Sequence, residues 1–392
     1  MYVLNALLII GLLTWLSLGI LHAWSASTIT MLRPGRDEDA PAALPKVSVI
    51  LAARDEEAAL PATLDSLLKL DYPDYEVILV DDDSTDHTGT IADEYAQRTA
   101  LDRLKVIHNR ERPAGWTGKV YALHLAACAA QGEWLLATDA DVVHHPQTLG
   151  RAVSLARRRG LDLLSLVPHI ELESFWERVV LPLFSFGIAS YYPFFLINNP
   201  RFRRAAAVGA FILMRRKELG SLGGYAQINS TVIDDLRLAE LFKWNGRRIY
   251  LAATRGLLRT RMYENCREVW EGLCRTSFEG LGFSVARVLA VLVLIMVADI
   301  LPWATVLTLA FRDVWAGHSL LADSILRLAF STCLTSALVY LPFLIVLRVS
   351  PLYVFTLPLG AAFYAGVAVD SMLVSIFRAG VRWKGRHYPP PV

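Results

Sequence analysis

The stretch that most narrows what this chain can become is Trp134-Leu135-Leu136-Ala137-Thr138-Asp139-Ala140-Asp141, an apolar run that stops at two carboxylates one residue apart. Four consecutive apolar residues bounded by polar ones suit a strand covered on both faces, which is the habit of parallel sheets. In an extended segment residues two apart project to one side, so Asp139 and Asp141 face a common point at the strand's carboxyl end. Open α/β sheets place their ligands at that edge. Two hard oxygen donors suit Mg²⁺ or Mn²⁺, and an ion held there would in turn hold a diphosphate. By itself an Asp-x-Asp pair is more often a solvated turn, so the rest of the sequence has to decide.

A parallel strand needs crossover partners, and the flanking sequence supplies them. Residues 47–51 (Val-Ser-Val-Ile-Leu) read as a strand, and Leu60, Leu64, Leu67 and Leu68 follow at helical spacing with Pro61 in a first turn. Residues 76–80 form a second strand that ends in Asp81-Asp82-Asp83-Ser84-Thr85-Asp86, a cluster suited to capping a helix through Ile91 and Tyr95. A third strand at 104–107, a helix at 117–131 and the strand at 134–137 continue the alternation. Further strands are expected at 163–167, 208–214 and 248–252, with a helix at 232–244 that opens near Asp234-Asp235. The expected fold is α/β, a Rossmann-like doubly wound sheet.

The two ends differ in texture. With 54% hydrophobic and 19% charged residues among 392, the chain is more apolar than an ordinary soluble domain at about 45–50% and about 25%. The excess lies at the termini and leaves a middle of about 250 residues with normal polarity, enough for one substantial domain. Residues 3–24 carry no charge and are long enough to span a bilayer. No basic residue precedes this core and no small-x-small site follows it, which favours a retained anchor over a cleaved signal peptide. Arg33 and Arg36 then put the next domain on the cytoplasmic side of the inner membrane.

Apolar spans are expected at 286–311, 328–347 and 352–377. Three crossings would put Arg378, Arg382, Lys384 and Arg386 outside, so one segment is expected to be re-entrant or broken. The candidates are the first span, with Asp299 and Pro302, and the last, with Pro358 and Asp370. The apolar run 179–197, interrupted by Pro182 and Pro193, reads as interfacial, with Arg201, Arg203 and Arg204 at the headgroups. The expected layout is an anchor (1–25), a linker (26–45), an α/β domain (46–275) containing the interfacial segment 179–204, a membrane region (276–378) and a basic tail (379–392).

Charge and cysteines exclude other classes. A net charge of +2 without Arg/Lys runs alternating with aromatics argues against a nucleic-acid partner. Cys128, Cys266, Cys274 and Cys333 have no Cys-x-x-Cys or zinc spacing and read as small hydrophobes in a reducing compartment.

Six motifs in order carry a resemblance: Ser-Val-Ile-Leu-Ala-Ala-Arg-Asp-Glu-Glu (48–57), Val-Asp-Asp-Asp-Ser-Thr-Asp (80–86), Gly-Trp-Thr-Gly-Lys (115–119), Thr-Asp-Ala-Asp (138–141), Gly-Ala-Phe-Ile-Leu-Met-Arg-Arg (209–216) and Asp-Asp-Leu-Arg-Leu (234–238). Over 46–275 the chain resembles the family 2 glycosyltransferases, whose catalytic domain is the GT-A fold, a Rossmann-like doubly wound mixed sheet. With its anchor, hydrophobic C-terminal third and Trp-Lys-Gly-Arg-x-Tyr ending (383–388), it is most similar to the hopene-associated, HpnB-type branch near the ceramide glucosyltransferases. The resemblance implies a nucleotide-sugar donor, a lipid acceptor at the bilayer and a divalent ion. It places Asp82 on the nucleotide base, through uracil N3–H, and Asp141 on the metal, with Asp139 on ribose or metal. It makes Asp235 the general base, with Asp234 among the nucleotide-sugar-binding residues, and lines the pocket with Ala52, Ala53, Arg54 and Glu56. Lys119 is either a diphosphate ligand or an ordinary exposed lysine at a helix start.

Displacing a nucleoside diphosphate from an anomeric carbon requires charge stabilisation on the leaving group, and deprotonating the acceptor hydroxyl requires a base. One base and no enzyme nucleophile give inversion. Processive members carry Gln-x-x-Arg-Trp after the base, whereas this chain has Glu264-Asn-Cys-Arg267-Glu-Val-Trp270, which argues for transfer of a single sugar. Arg267 and Trp270 are either a displaced remnant of that motif or part of an amphipathic helix, and Arg275 is a candidate charge near the diphosphate. Two alternatives stay open: a polyprenyl-phosphate acceptor, which needs no base, and a catalytically dead nucleotide-binding scaffold.

Overall fold

A computed structural model describes residues 2–35, 44–99, 103–315, 324–377, 381–383 and 386–388. The chain divides into two compact units, one made of 28–171, 194–262 and 384–392, the other of 1–27, 172–193 and 263–383. The expected positions of Arg36, Arg378 and Lys384, and most of the basic tail, lie outside the described residues.

Among the described residues between 28 and 262, the first unit has eleven strands: β1 (Met31–Leu32), β2 (Val47–Ala53), β3 (Tyr75–Asp81), β4 (Leu104–His108), β5 (Trp134–Asp139), β6 (Val142–His144), β7 (Leu163–Val167), β8 (His169–Ile170), β9 (Ile212–Arg215), β10 (Ile249–Thr254) and β11 (Leu258–Thr260). Eight of them form one sheet in the order β1-β10-β7-β9-β5-β2-β3-β4, and β6-β11-β8 form a smaller one. All neighbours in the large sheet are parallel except β9, which is antiparallel to both β5 and β7. The sheet is therefore mixed, as the GT-A expectation requires. β1 falls inside the stretch expected to be a linker, where Met31 and Leu32 pair with Ala253 and Thr254.

Strand chemistry explains the sheet. β2 is buried at every position except Ala52, and β-branched Val47, Val49, Ile50, Val77, Ile78 and Val80 fill a pleated surface covered on both sides. The crossover helix Leu60–Leu67 has Pro61 in its first turn and buries Leu60, Leu64 and Leu67 in one stripe, each contributing about 2 kcal/mol of apolar burial. A tight backbone approach sets where β5 begins: a Cβ on Gly132 would lie 2.5 Å from the Ser48 amide nitrogen and 2.8 Å from the Val47 carbonyl carbon. The Gly132 N–H instead donates to Ser48 Oγ (2.8 Å), and Arg216 Nε donates to the Gly132 carbonyl (2.7 Å).

The second unit is helical. Among the described residues four helices are long and apolar enough to cross a membrane: Tyr2–Thr28, Val285–Arg312, Ser324–Val346 and Pro351–Phe377. The first buries Leu8, Gly11 and Trp15, and the Trp15 indole donates to the Ala298 carbonyl (3.1 Å) inside the π-turn Met296–Ile300. Asp299 and Pro302 do not break the second helix, which passes through that single turn and continues; Pro358 sits in the first turn of Leu357–Phe377, where proline is tolerated. Among the described residues both segments run as unbroken helices.

The stretch expected to be one interfacial segment is divided. Helix Phe175–Tyr191, started by a Ser174/Glu177 capping box and carrying Pro182, packs in the helical unit, and a separate short helix, Phe194–Asn198, belongs to the sheet unit. The stretch of the sheet unit that begins at Phe194 runs to Met262, and helix Cys266–Gly280 is helical-unit structure. There the Trp270 indole donates to Asp370 (2.8 Å), and Ser371 Oγ accepts from the Phe278 amide (3.0 Å) while donating to the Cys274 carbonyl, entering the helix ladder between them. Arg267 pairs with Glu271 one turn along its own helix (2.7 Å).

Because the β2–β5 approach leaves no room at residue 132, Gly132→Ala should destabilise the detergent-solubilised protein by about 1–3 kcal/mol through overpacking. Thermal unfolding checks this, and an unchanged Tm would contradict it.

Candidate active site

Strand register brings the first carboxylates together. Ala52 pairs with Val80 on one side and Asp139 on the other, and Ala53 pairs with Asp81, so β2, β3 and β5 end in line. The loops after β2 and β3 are tied to each other. Buried Arg54 donates through Nη1 to the carbonyls of Asp82 (2.5 Å) and Asp83 (2.8 Å), and Asp55 Oδ1 accepts from the Thr85 amide (2.7 Å). Asp55 and Asp83 take left-handed backbone conformations (φ 49° and 56°), which aspartate tolerates better than most residues. Arg54 thus shapes the loop of Asp82. The Asp82 carboxylate is 2% exposed and accepts from Asn109 Nδ2 (3.1 Å), a residue just past β4.

Lys119 joins the second and third acidic sites. It lies in the first turn of helix Gly118–Ala129, with Nζ 2.8 Å from Asp139 Oδ1 and 3.2 Å from Asp234 Oδ1. Burial alone would pull its ammonium pKa down, but Asp139, Asp234 and Asp235 outweigh that and hold it well above the ordinary lysine range. It is an internal counter-ion here, not an ordinary exposed lysine.

Asp141 and Asp235 stay under electrostatic stress. Asp141 accepts from Thr260 Oγ1 (3.3 Å), yet burial, then Asp139 and Glu56, push its carboxyl up to about 7. Asp235 is pushed up to about 7 by burial and then by Asp234, against the opposing pull of Lys119. Its Oδ2 accepts from the Gly209 amide (3.0 Å) and its Oδ1 from the Leu236 amide (2.7 Å). A Cβ on Gly209 would lie 3.0 Å from Asp139 Oδ2 and 3.4 Å from Lys119 Nζ, so a side chain there would crowd this ion pair. Below the turn, buried His144 is pulled down to about 3 by desolvation and stays neutral.

The structure therefore brings Asp139, Asp234, Asp235 and Lys119 together, with Asp141 and Glu56 in electrostatic reach. Sequence reasoning missed Gly209, Thr260 and Asn109 as contributors. Gly209 opens a motif already singled out, whereas nothing local marks Thr260 or Asn109. Among the described residues no group of three or more His, Cys, Asp or Glu side chains forms a ready metal centre. The donor chemistry nonetheless fits a hard cation: the charge on Asp139 helps raise the buried Asp141 carboxyl, and Mg²⁺-type sites usually take one or two carboxylates plus phosphate and water.

The mixed sheet defines a GT-A-like architecture. A mannosyltransferase from Pyrobaculum calidifontis, in complex with GDP-Man and Mn²⁺, aligns over 94% of this chain and 99% of its own at TM-score 0.55 and 19% identity, a likeness of fold. Residues 48–222 match the Glycosyl transferase family 2 model. The beta-monoglucosyldiacylglycerol synthase of Nostoc sp. is 30% identical over 249 residues, 62% of this chain and 50% of that protein. The 4,4'-diaponeurosporenoate glycosyltransferase of Staphylococcus haemolyticus is 28% identical over 224 residues, 56% and 57% of the two. The chain spans about half the length of these curated relatives.

A carboxyl held near 7 in the fold and near about 4 when unfolded binds its proton more tightly in the native state. Its charged form therefore destabilises the fold at pH above both values, and the penalty fades as pH falls through about 7 towards about 4. Asp141→Asn should raise Tm by several degrees at about pH 8, lose that advantage near about pH 4, and abolish any Tm gain on adding Mn²⁺. A differential scanning fluorimetry series measures this; a wild-type-like profile in the variant would refute it.

Proposed function

We propose that the chain is a membrane-bound, metal-dependent, inverting glycosyltransferase that moves one sugar from a nucleotide-sugar, a UDP-sugar, to a lipid hydroxyl. The observation that carries the reading is the meeting, at one sheet edge, of Asp139 with the Asp234/Asp235 helix start through Lys119. Asp82, fixed by Asn109, is assigned to the nucleotide base. Asp139 and Asp141 would hold Mg²⁺ or Mn²⁺, which when bound neutralises charge on the departing diphosphate. Lys119 is assigned to the diphosphate as a mobile positive charge once a donor competes with the carboxylates for it. Asp235, held by the Gly209 amide and raised towards neutrality, takes the acceptor hydroxyl proton.

The lipid acceptor is supported by the four apolar helices and by the name of the glucosyldiacylglycerol synthase relative. Within lipid acceptors we assign a hopanoid-type substrate, on the resemblance to the HpnB-type branch, with the catalytic domain on the cytoplasmic face of the inner membrane. Arg33 on the exit side of the first helix favours that orientation.

Membranes containing the protein, incubated with labelled nucleotide sugars and extracted for lipid mass spectrometry, should yield a lipid carrying one added sugar. Asp235→Asn should reduce its formation by at least about a hundredfold if the acceptor is a hydroxyl. Near-normal turnover in that variant would point to an already ionised lipid phosphate, product in the soluble polymer fraction would refute the lipid reading, and no turnover with any donor would favour a non-catalytic scaffold.

A further inference from the structure

Beneath the turn that carries Asp139 and Asp141 lies a set of buried polar side chains that the proposed chemistry leaves unused. Thr138 and His144 flank the turn. Thr138 Oγ1 donates to the Ala210 carbonyl (2.8 Å), so its oxygen accepts from His144 Nε2–H (3.0 Å). That fixes the imidazole as the Nε2–H tautomer, leaving Nδ1 a buried acceptor without a partner. From the helix Leu60–Leu67, Thr63 Oγ1 donates to the carbonyl of Ala140, the residue between the two carboxylates (2.8 Å). Ser66 Oγ accepts from the His144 amide (3.0 Å) and donates to the Thr63 carbonyl (2.8 Å). Thr63, Ser66, Thr138 and His144 are all buried, at 0–9% exposure.

A hydrogen-bonded network at this depth has few alternatives, because each broken bond leaves a buried polar group unsatisfied. It clamps the turn at its entry (Thr138), its middle (the Ala140 carbonyl) and its exit (His144). It also reaches the base: Ala210 follows Gly209, whose amide holds Asp235. Groups that hold the backbone of ligating side chains govern affinity because they remove the ordering that binding would otherwise require.

We infer that Thr63, Thr138 and His144 are positioning residues that fix the spacing of the Asp139 and Asp141 carboxylates for a divalent ion and tie that spacing, through Gly209–Ala210, to Asp235. The inference rests on the reading of Asp139 and Asp141 as metal-holding residues. It assigns the hydroxyls of Thr63 and Thr138, not their shape, as what matters.

The test is titration of the full-length, detergent-solubilised chain with Mn²⁺, followed by the EPR signal of the free ion, alongside thermal unfolding. Thr63→Val and Thr138→Val keep the shape and lose the hydroxyl; Thr63→Ser and Thr138→Ser do the reverse. The Val variants should bind Mn²⁺ about 10- to 100-fold more weakly while still unfolding cooperatively, and the Ser variants should stay within about threefold of wild type. His144→Gln, which keeps a side-chain N–H donor, should fall between them. Val variants that bind like wild type, or Ser variants that lose as much as Val, would overturn the inference. Wild-type protein that takes up no Mn²⁺ would remove the metal-holding reading beneath it, and the inference with it.

Discussion

Asp139, Asp141, Asp234 and Asp235 crowd one edge of one sheet, and the repulsion among partly buried carboxylates is the constraint around which the local structure is arranged. Like charges in a low-dielectric site raise one another's pKa unless a cation intervenes. Lys119 supplies one positive charge between Asp139 and Asp234, and the Gly209 and Leu236 amides share the charge on Asp235. Asp141 accepts from the Thr260 hydroxyl and its carboxyl still stays raised, which makes it a natural place for a further cation.

This arrangement stores instability where activity is expected. A buried carboxylate near neutrality is a poor structural element and a suitable general base, the common trade between stability and function. The scaffold offsets it with a sheet whose central strands are covered on both faces and with the buried Thr63, Ser66, Thr138 and His144 network under the turn. Arg54 does similar work at the neighbouring loop, spending its hydrogen bonds on the Asp82 and Asp83 carbonyls.

Much of the sheet was legible because continuous apolar runs such as Val47–Ala53 and the apolar start of Trp134–Asp139 have few other uses in a folded chain. The antiparallel direction of Ile212–Arg215 was not, since side-chain alternation is the same in both directions. The carboxylates of the site were legible as strand-end and helix-start acids. Their supports were not: Thr260 and Thr63 reach the turn only through tertiary packing, and their own neighbourhoods carry no signal. Pro193 marked a break in the apolar run, but apolar composition did not show that the helices on its two sides belong to different units. The Ser174/Glu177 capping box that starts helix Phe175–Tyr191 was in the sequence to be read.

The central claim is that Asp235, its carboxyl raised by burial and by Asp234, is the base for an acceptor hydroxyl. The most direct test is the pH dependence of kcat for sugar transfer to lipid, with donor and Mn²⁺ saturating. The rate should rise with pH through a midpoint above the ordinary carboxylate range and then level, a limb lost with the activity in Asp235→Asn. A rate that stays flat between about pH 5 and about pH 8, or survives in Asp235→Asn, would contradict it.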